Sequence, residues 1–236
     1  MKTGFKSYTK DGVVSIDSNF KGFAFTKKEV HTRTAVYPGW IIKQEPDEVL
    51  VLGASSHPTL VMGYSGGKWV VACGVPKLPG ERREQITANI EIYRFSSKPP
   101  APGVGLNIYT NTGEIAFTSQ RKMLRPFRYF PVGKEYRWWD ANYLSAQDSA
   151  GNPEINKQLE IPAGNKVGLV LWPSRTFSAL GSGWLTFCGY KIGEKVISRN
   201  WFPVYEPIDC GDTKINAWLD YEDTYIQVNE GLLVYL

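Results

Sequence analysis

The chain has 236 residues, a formal net charge of +4 and an aromatic content of 14%. With 23 glycines and 15 prolines it favours strands and turns over helices, and no window has the periodicity of a long amphipathic helix. Two histidines and three cysteines, without a CxxC or HxxxH spacing, exclude a typical zinc site and a disulfide framework. No apolar stretch of about eighteen residues is present, so we expect a soluble protein made in the cytosol, without membrane insertion, metal or cofactor.

The opening segment of the chain returns in its second half. Residues 4–18, GFKSYTKDGVVSIDS, align without a gap with residues 105–119, GLNIYTNTGEIAFTS, at an offset of 101. Five positions are identical: Gly4/Gly105, Tyr8/Tyr109, Thr9/Thr110, Gly12/Gly113 and Ser18/Ser119. Each copy predicts a β-hairpin, because two alternating segments flank a turn whose glycine can adopt a positive φ.

A second motif, W-x-x-x-C-G, also occurs twice. It contains Trp69 and Cys73 in the first copy, and Trp184 and Cys188 in the second. Because tryptophan and cysteine are rare, their return in the same order favours a duplicated unit over chance. The two cysteines then occupy equivalent positions, where a small thiol beside a glycine indicates a buried, structural role.

The repeats predict an all-β chain of two tandem homologous domains, each a β-sandwich or a small barrel. The first domain spans residues 1–97, and a proline-rich linker follows at 98–104. The second domain spans residues 105–236. It is enlarged by an insertion at about 134–162, whose Asn, Asp, Ser, Gly and Pro content is typical of an exposed loop or a short helix.

Two continuous apolar runs predict strands that are buried on both faces. They are VLVLGAS at 49–55 and VGLVLWPS at 167–174, and turn residues bound each of them. Both copies also close on a β-rich stretch, at 90–95 and at 232–236. The matched segments follow one another in the same order in the two copies.

Four aromatic residues are the sharpest local feature of the insertion: Tyr136, Trp138, Trp139 and Tyr143. Large, rigid, amphipathic side chains of this kind serve both protein interfaces and sugar-stacking platforms. A third interpretation places one tryptophan in the sandwich core and the other at its rim. The three interpretations stay open, although a lectin tends to repeat its aromatic platform and the first copy has no counterpart of this cluster.

Positive charge is densest in one short run, called the basic run below: Arg121, Lys122, Arg125, Arg128, Lys134 and Arg137. Nucleic-acid-binding proteins concentrate lysine and arginine along one face in this way. The same residues on the exposed edge of a sheet block unwanted strand pairing. We adopt the edge interpretation because the run is short, and we predict no nucleic-acid partner.

The sequence contains no catalytic signature. His31 and His57 stand in the first copy without a G-x-S-x-G or another nucleophile motif, so we interpret them as surface or turn residues. The YSGGKW segment at 64–69 lacks the frame of a phosphate-binding loop and precedes a predicted strand. We therefore predict a protein without enzymatic activity.

The repeated opening segment also resembles a protein family. Many small tail proteins of tailed bacteriophages, encoded near the tail-tip and tail-fibre genes, begin with a phrase similar to GL-x-[IV]-[YW]-[ND]-x-x-G. The second copy carries this resemblance on Gly105, Leu106, Ile108, Tyr109, Asn111 and the stretch from Gly113 to Ser119. The first copy carries it on Gly4, Phe5, Tyr8, Gly12 and Ser18. Such proteins usually contain one unit, whereas this chain contains two.

The resemblance implies a structural component of the virion at the tail tip or tail fibre, assembled in the host cytoplasm without cofactor or disulfide. Its implied partners are other tail proteins, in a homo-oligomeric ring or fibre. A carbohydrate- or receptor-binding module of the tail, which would use the aromatic residues of the insertion, is the alternative from another class. A capsid decoration protein and, last, a glycan-cleaving enzyme are the remaining candidates.

Overall fold

A computed structural model describes the chain over twelve ranges: 6–8, 14–17, 22–64, 66–75, 84–98, 104–110, 112–129, 158–171, 176–178, 185–204, 206–216 and 231–236. Every regular element in these residues is a strand, which confirms the predicted all-β class. The strands of the described residues pair with one another antiparallel, and one isolated bridge, Pro38–Asp209, is parallel.

The strands are numbered in chain order. The first half contains β1 (Lys6–Tyr8), β2 (Val14–Asp17), β3 (Ala24–Ala35), β4 (Gly39–Lys43), β5 (Glu48–Ser55), β6 (Thr59–Tyr64), β7 (Lys68–Cys73) and β8 (Ile86–Ser96). The second half contains β9 (Asn107–Tyr109), β10 (Ile115–Thr118), β11 (Arg125–Tyr129), β12 (Gln158–Glu160), β13 (Val167–Val170), β14 (Thr176–Ser178), β15 (Leu185–Ile192), β16 (Val196–Val204), β17 (Ile208–Asp209), β18 (Lys214–Ile215) and β19 (Leu232–Tyr235).

Two large sheets form a β-sandwich. Sheet I has the order β11-β19-β13-β5-β8-β3, and sheet II has the order β12-β16-β15-β6-β7-β4, with β14 also paired to β15. One hydrophobic core lies between them: Leu52 and Leu233 of sheet I and Val71 and Ile197 of sheet II are fully buried there. Burial of each such side chain stabilises the fold by about 1.5–3 kcal/mol.

The strand β5 is buried on both faces, as its apolar run predicts. Leu50 and Leu52 belong to the core. Val51 points to the opposite face of sheet I, called the outer face below, where it packs with Tyr93 and Phe95. The strand β13 follows the same rule, since alternate residues of a strand point to opposite faces. Both predictions of doubly buried strands are confirmed.

The two predicted domains, 1–97 and 105–236, share this one core, because each large sheet contains strands of both halves. The halves join in sheet I, where Leu52 is paired with Leu169 and the Leu171 N–H donates to the Leu50 carbonyl over 2.8 Å. The sequence predicts a sandwich or barrel for each domain, whereas strands of both halves pack here around the same core; the domain bounds stay a prediction. The physical reason is that each half by itself would leave a buried strand, β5 or β13, with unpaired N–H and C=O groups at its edge, and pairing the two strands satisfies these groups. Residues 99–103 of the linker and 134–157 of the insertion lie outside the described ranges.

The two predicted hairpins, β1–β2 and β9–β10, have the same register. In β1–β2 the pairing skips Ser15, and in β9–β10 it skips Ala116, which is 101 residues later (116 − 15 = 101). Every paired residue of the first hairpin has its counterpart at this offset in the second. Equal register with an equal bulge agrees with a repeated unit, and the duplication itself stays a prediction.

Sheet I repeats this relation. β3 skips Thr26 where it pairs with β8, and β11 skips Phe127 where it pairs with β19, again 101 residues apart (127 − 26 = 101). The order of sheet I is mirrored, with β3-β8-β5 from one half and β13-β19-β11 from the other. Strands at matching distances from the junction of β5 and β13 therefore come from the two halves of the chain.

Gly168→Ala tests the junction of the halves. A Cβ at Gly168 would lie 2.5 Å from Val51 Cγ1 and 2.8 Å from the Leu52 carbonyl oxygen, so the backbone of β5 must shift. We expect the free energy of unfolding to fall by about 1–3 kcal/mol, measured by urea denaturation.

The matched control is Gly63→Ala in β6, where nothing lies within 4 Å of the added Cβ. This variant should be as stable as the wild type, or more stable by about 0.4–1 kcal/mol. Equal effects of the two substitutions would contradict the tight junction.

Candidate functional site

Several predicted site residues lie outside the described ranges. These are Tyr136, Trp138, Trp139, Tyr143, Gly12 and Trp184. The three interpretations of the aromatic cluster therefore stay predictions.

The described residues of the W-x-x-x-C-G motif belong to the sandwich. Trp69 packs half-buried against the core, and its indole N–H donates a hydrogen bond to the Gln44 side-chain oxygen. Cys73 is fully buried with its Sγ 3.3 Å from Thr59 Oγ1, and burial raises the pKa of the thiol to about 12. A buried thiol of such a pKa is unreactive and contributes packing. Cys188 lies in β15.

The hairpin residues have the predicted turn geometry. Gly113 has a φ of 82°, in the left-handed region that favours glycine. Tyr109 is the last residue of β9 and is exposed, and Tyr8 is the last residue of β1. The exposed position of Tyr109 makes it available to a partner.

A cavity on the outer face of sheet I has an aromatic floor. Alternation along β8 directs Tyr93 and Phe95 to this face, while Ile92 points to the core. Phe25 of the neighbouring strand β3 packs edge-on against Phe95, with ring centroids 5.8 Å apart. Edge-on pairs of this kind contribute about 0.5–1.5 kcal/mol beyond their burial, so the floor is a well-defined surface.

The second half of the chain supplies the opposite wall of the cavity, through residues 119–123. Backbone hydrogen bonds hold this wall against the start of β3. The Phe25 N–H donates to the Lys122 carbonyl over 2.8 Å, and the Leu124 N–H donates to the Phe23 carbonyl over 2.8 Å. Since these bonds involve the backbone alone, side-chain substitutions in the wall leave its position unchanged.

The cavity has a volume of about 630 Å³. Pockets that bind small ligands or inserted side chains have volumes of roughly 300–1,000 Å³, so this one is large enough for a ligand. Phe117 of β10 and Tyr235 of β19 complete its aromatic lining. The lining therefore combines residues from both halves of the chain.

Three cations line the cavity: Arg121, Lys122 and Arg125. None of them forms an ion pair with a carboxylate of the described residues. The Arg125 guanidinium carbon lies 5.8 Å from the ring centroid of Tyr235, which is a cation–π contact and not an ion pair. The wall thus carries positive charge that no described acid neutralises.

The cations on the strands β3 and β8 are neutralised, in contrast. The Lys28 ammonium is paired with Glu91. The Arg94 guanidinium lies 2.9 Å from Glu29 and 2.8 Å from Glu48. Positive charge without a partner is therefore concentrated on the wall of the cavity and not on its floor.

The pKa values of the acids on these strands follow from their partners. Burial by itself would raise the pKa of Glu29, but hydrogen bonds from Lys27 and Arg94 hold that pKa at about 2. Burial likewise opposes the hydrogen bond from Lys28, which nevertheless lowers the pKa of Glu91. Both carboxylates are ionised at neutral pH and balance their cations.

The basic run is divided between two positions. Arg125 and Arg128 lie on β11, an edge strand of sheet I, which is where the edge interpretation places them. Arg121 and Lys122 lie on the cavity wall, a role that the sequence did not indicate. The rings of the floor are distant in sequence from the basic run, so no local pattern could have joined them to it. Lys134 and Arg137 lie outside the described ranges.

Comparisons of the chain with protein-family models, with curated proteins and with solved structures found no match. Among the described residues no helix is long and apolar enough to cross a membrane. Nor does any group of three or more His, Cys, Asp or Glu side chains in the described ranges have the arrangement of a metal site.

The lining of the cavity suits a ligand that contains both an anionic group and an apolar or aromatic group.

Glu29→Gln tests the ionic network of the strands β3 and β8. The folded pKa of Glu29, about 2, lies below the unfolded value of about 4.3, so the ionised carboxylate stabilises the fold above pH 4.3 and this contribution is lost as the pH falls toward 2. We expect the variant to lose about 1 kcal/mol of unfolding free energy at pH 7, and its difference from the wild type to shrink below pH 4. Urea denaturation over this pH range measures it.

The control for this experiment is Glu160→Gln, at an exposed glutamate of β12 that has no ion pair with a described residue. Its stability should follow that of the wild type at every pH. A loss for Glu29→Gln that stays constant down to pH 2 would show that the carboxylate does not contribute through its charge.

Proposed function

We propose that the chain is a structural protein of a bacteriophage virion, located at the tail tip or tail fibre, which acts by protein–protein assembly and catalyses no reaction. The observation that carries this proposal is a group of exposed apolar side chains on the second hairpin, β9–β10, and the residues before it. The same segment bears the resemblance to phage tail proteins. Sequence resemblance and available surface therefore coincide in one element.

Exposed apolar side chains are concentrated at this hairpin. Five large hydrophobic residues are exposed in the described part of the chain, and three of them, Val104, Leu106 and Tyr109, lie within six positions of one another. A fourth, Tyr129, lies at the end of β11. Apolar groups clustered on a surface are typical of contact sites with other proteins, because a partner removes them from water.

The hairpin also offers a strand edge. In the described part of the chain, β9 and β10 form a two-stranded sheet and pair with no third strand. Unpaired N–H and C=O groups at such an edge form hydrogen bonds with a strand of another chain. Strand addition beside apolar contacts is a common way in which β-rich chains assemble.

The first hairpin, β1–β2, has the same backbone register as the second. A chain with two such hairpins presents two quasi-equivalent surfaces, which suits a position between a ring of one symmetry and a ring or fibre of another. The proposed partners are accordingly other tail proteins and further copies of this chain, and the proposed location is the virion tail, after assembly in the host cytoplasm.

The alternatives differ in what a particle would show. A receptor- or glycan-binding module that uses Tyr136, Trp138, Trp139 and Tyr143 predicts normal particles with lost adsorption when these residues are changed. A capsid decoration protein predicts density on the head. No described residue favours either alternative over assembly at the tail, so both are outcomes of the experiment below.

Leu106→Asp tests assembly through the second hairpin. Phage that lacks its own copy of the gene is complemented with the variant, and the amount of the chain in purified particles is measured by quantitative mass spectrometry. Leu106 is 58% exposed, so the substitution leaves the fold intact while placing a charge in the proposed contact. We expect incorporation to fall about tenfold or more, which corresponds to about 1.4 kcal/mol or more of lost contact energy.

Val30→Asp is the matched control, because Val30 is 62% exposed on β3 in the first half, away from the hairpin. It should be incorporated like the wild type. The proposal is wrong if wild-type particles contain no copy of this chain, or if both variants are incorporated equally well. Cryo-electron microscopy of the same particles distinguishes the tail from the head.

A further inference from the structure

We propose that the cavity on the outer face of sheet I binds an acidic segment of a partner protein chain. An aromatic or aliphatic side chain of that segment enters between the rings of the floor, and its neighbouring carboxylates contact the cations of the wall. The proposal deepens the proposed function, since it names the partner chemistry of one assembly surface and takes the partner to be another protein of the same particle.

The floor accounts for the apolar part of the ligand. Phe25, Tyr93 and Phe95 present ring surface to the cavity from two adjacent strands, and Phe117 faces them from β10. The hydroxyl of Tyr93 already donates a hydrogen bond to Glu91 over 2.9 Å. The floor therefore has little further hydrogen-bonding capacity, and an apolar side chain is the group that it accommodates best.

The wall accounts for the anionic part. Arg121, Lys122 and Arg125 line the cavity without a described carboxylate partner, whereas Lys28 and Arg94 on the adjacent strands are paired with glutamates. A ligand with two or three carboxylates would pair with the cations of the wall in the same way. Arginine contributes most here, because its guanidinium binds a carboxylate through two parallel hydrogen bonds.

The distribution of charge favours a peptide over a nucleic acid. A nucleic-acid strand needs a track of unpaired cations along its backbone, and Lys28, the cation that stacks on the Tyr93 ring of the floor, is already neutralised by Glu91. The volume of about 630 Å³ accommodates one large side chain with its flanking residues, and is small for a run of stacked bases.

The cavity adjoins the surface on which the proposed function rests. The Ser119 hydroxyl accepts a hydrogen bond from the Leu106 N–H over 3.0 Å, and the Gln120 side chain donates to the Val104 carbonyl. A partner chain that covers Val104 and Leu106 therefore lies next to Ser119 and Gln120, which line the cavity. Because backbone hydrogen bonds already hold the wall in place, binding requires little ordering of the site.

The experiment measures binding of a fluorescein-labelled peptide, GEDWDEG, to the full-length chain by fluorescence polarisation. The control peptide, GQNWNQG, has amides in place of the carboxylates and the same tryptophan. We expect the acidic peptide to bind about tenfold or more tightly than the amide peptide at low ionic strength, and its affinity to fall as salt is added.

Variants of the chain assign this binding to the cavity. The double variant Arg121→Ala, Arg125→Ala should weaken binding of the acidic peptide about tenfold or more. Arg128→Ala is the matched control, because Arg128 lies on the same strand as Arg125 but stacks on Phe127 and does not line the cavity. Its affinity should stay within about twofold of the wild type. Thermal unfolding checks that each variant is folded.

Three results would overturn the proposal: no binding of the acidic peptide, equal binding of the two peptides, or equal loss of binding in the Arg128 variant and the double variant. Tighter binding of a labelled oligo-thymidylate of equal charge would assign the cavity to a nucleic acid instead. The measurement uses the purified chain alone. A chain that binds the peptide but is absent from particles would therefore disprove the proposed function and leave this site standing.

Discussion

The pairing of β5 with β13 is the constraint on which the rest of the structure depends. Leu52 lies opposite Leu169 and Val51 opposite Val170, so these two strands join the halves of the chain in the middle of sheet I. Both strands are covered by apolar side chains on both faces. Separating them would expose the core and the outer face of sheet I together, at a cost of about 25 cal/mol for each Å² of apolar surface. The halves are held by hydrophobic burial on two sides as well as by backbone hydrogen bonds.

The position of the cavity follows from this arrangement. Because β5 and β13 occupy the centre of sheet I, the strands β8 and β19 flank them, so that Phe95 of β8 and Leu236 next to β19 lie on the same outer face and line the cavity. The two edge strands of sheet I, β3 and β11, approach each other at their starts, where Ala24 and Met123 form a bridge. Rings from one half and cations from the other meet only because the halves share one sheet. A chain of two independent sandwiches would have no such site.

Local features of the fold could be predicted from the sequence, and long-range ones could not. The turn glycine Gly113 and the alternation around it indicate the second hairpin, and the apolar run at 49–55 indicates a strand buried on both faces, because these properties depend on neighbouring residues alone. Strand pairing across the halves depends on which strand of each half has an unpaired edge, and no residue pattern in the sequence indicates that strand. The cavity was missed for the same reason: Arg121 and Arg125 stand out as part of the basic run, but nothing near Phe25 or Tyr93 in the sequence indicates that these rings lie beside them.

Native-state hydrogen exchange, followed by NMR as a function of denaturant, tests most directly whether the two halves share one core. The Leu171 amide bonds to the Leu50 carbonyl across the junction, and the amides of β8 and β19 lie on either side of it. If the sandwich is one cooperative unit, the most protected amides of β5, β8, β13 and β19 will converge on a single free energy of opening, equal to that of global unfolding. Two distinct free energies, one for strands of residues 1–97 and another for strands of residues 105–236, would contradict the shared core.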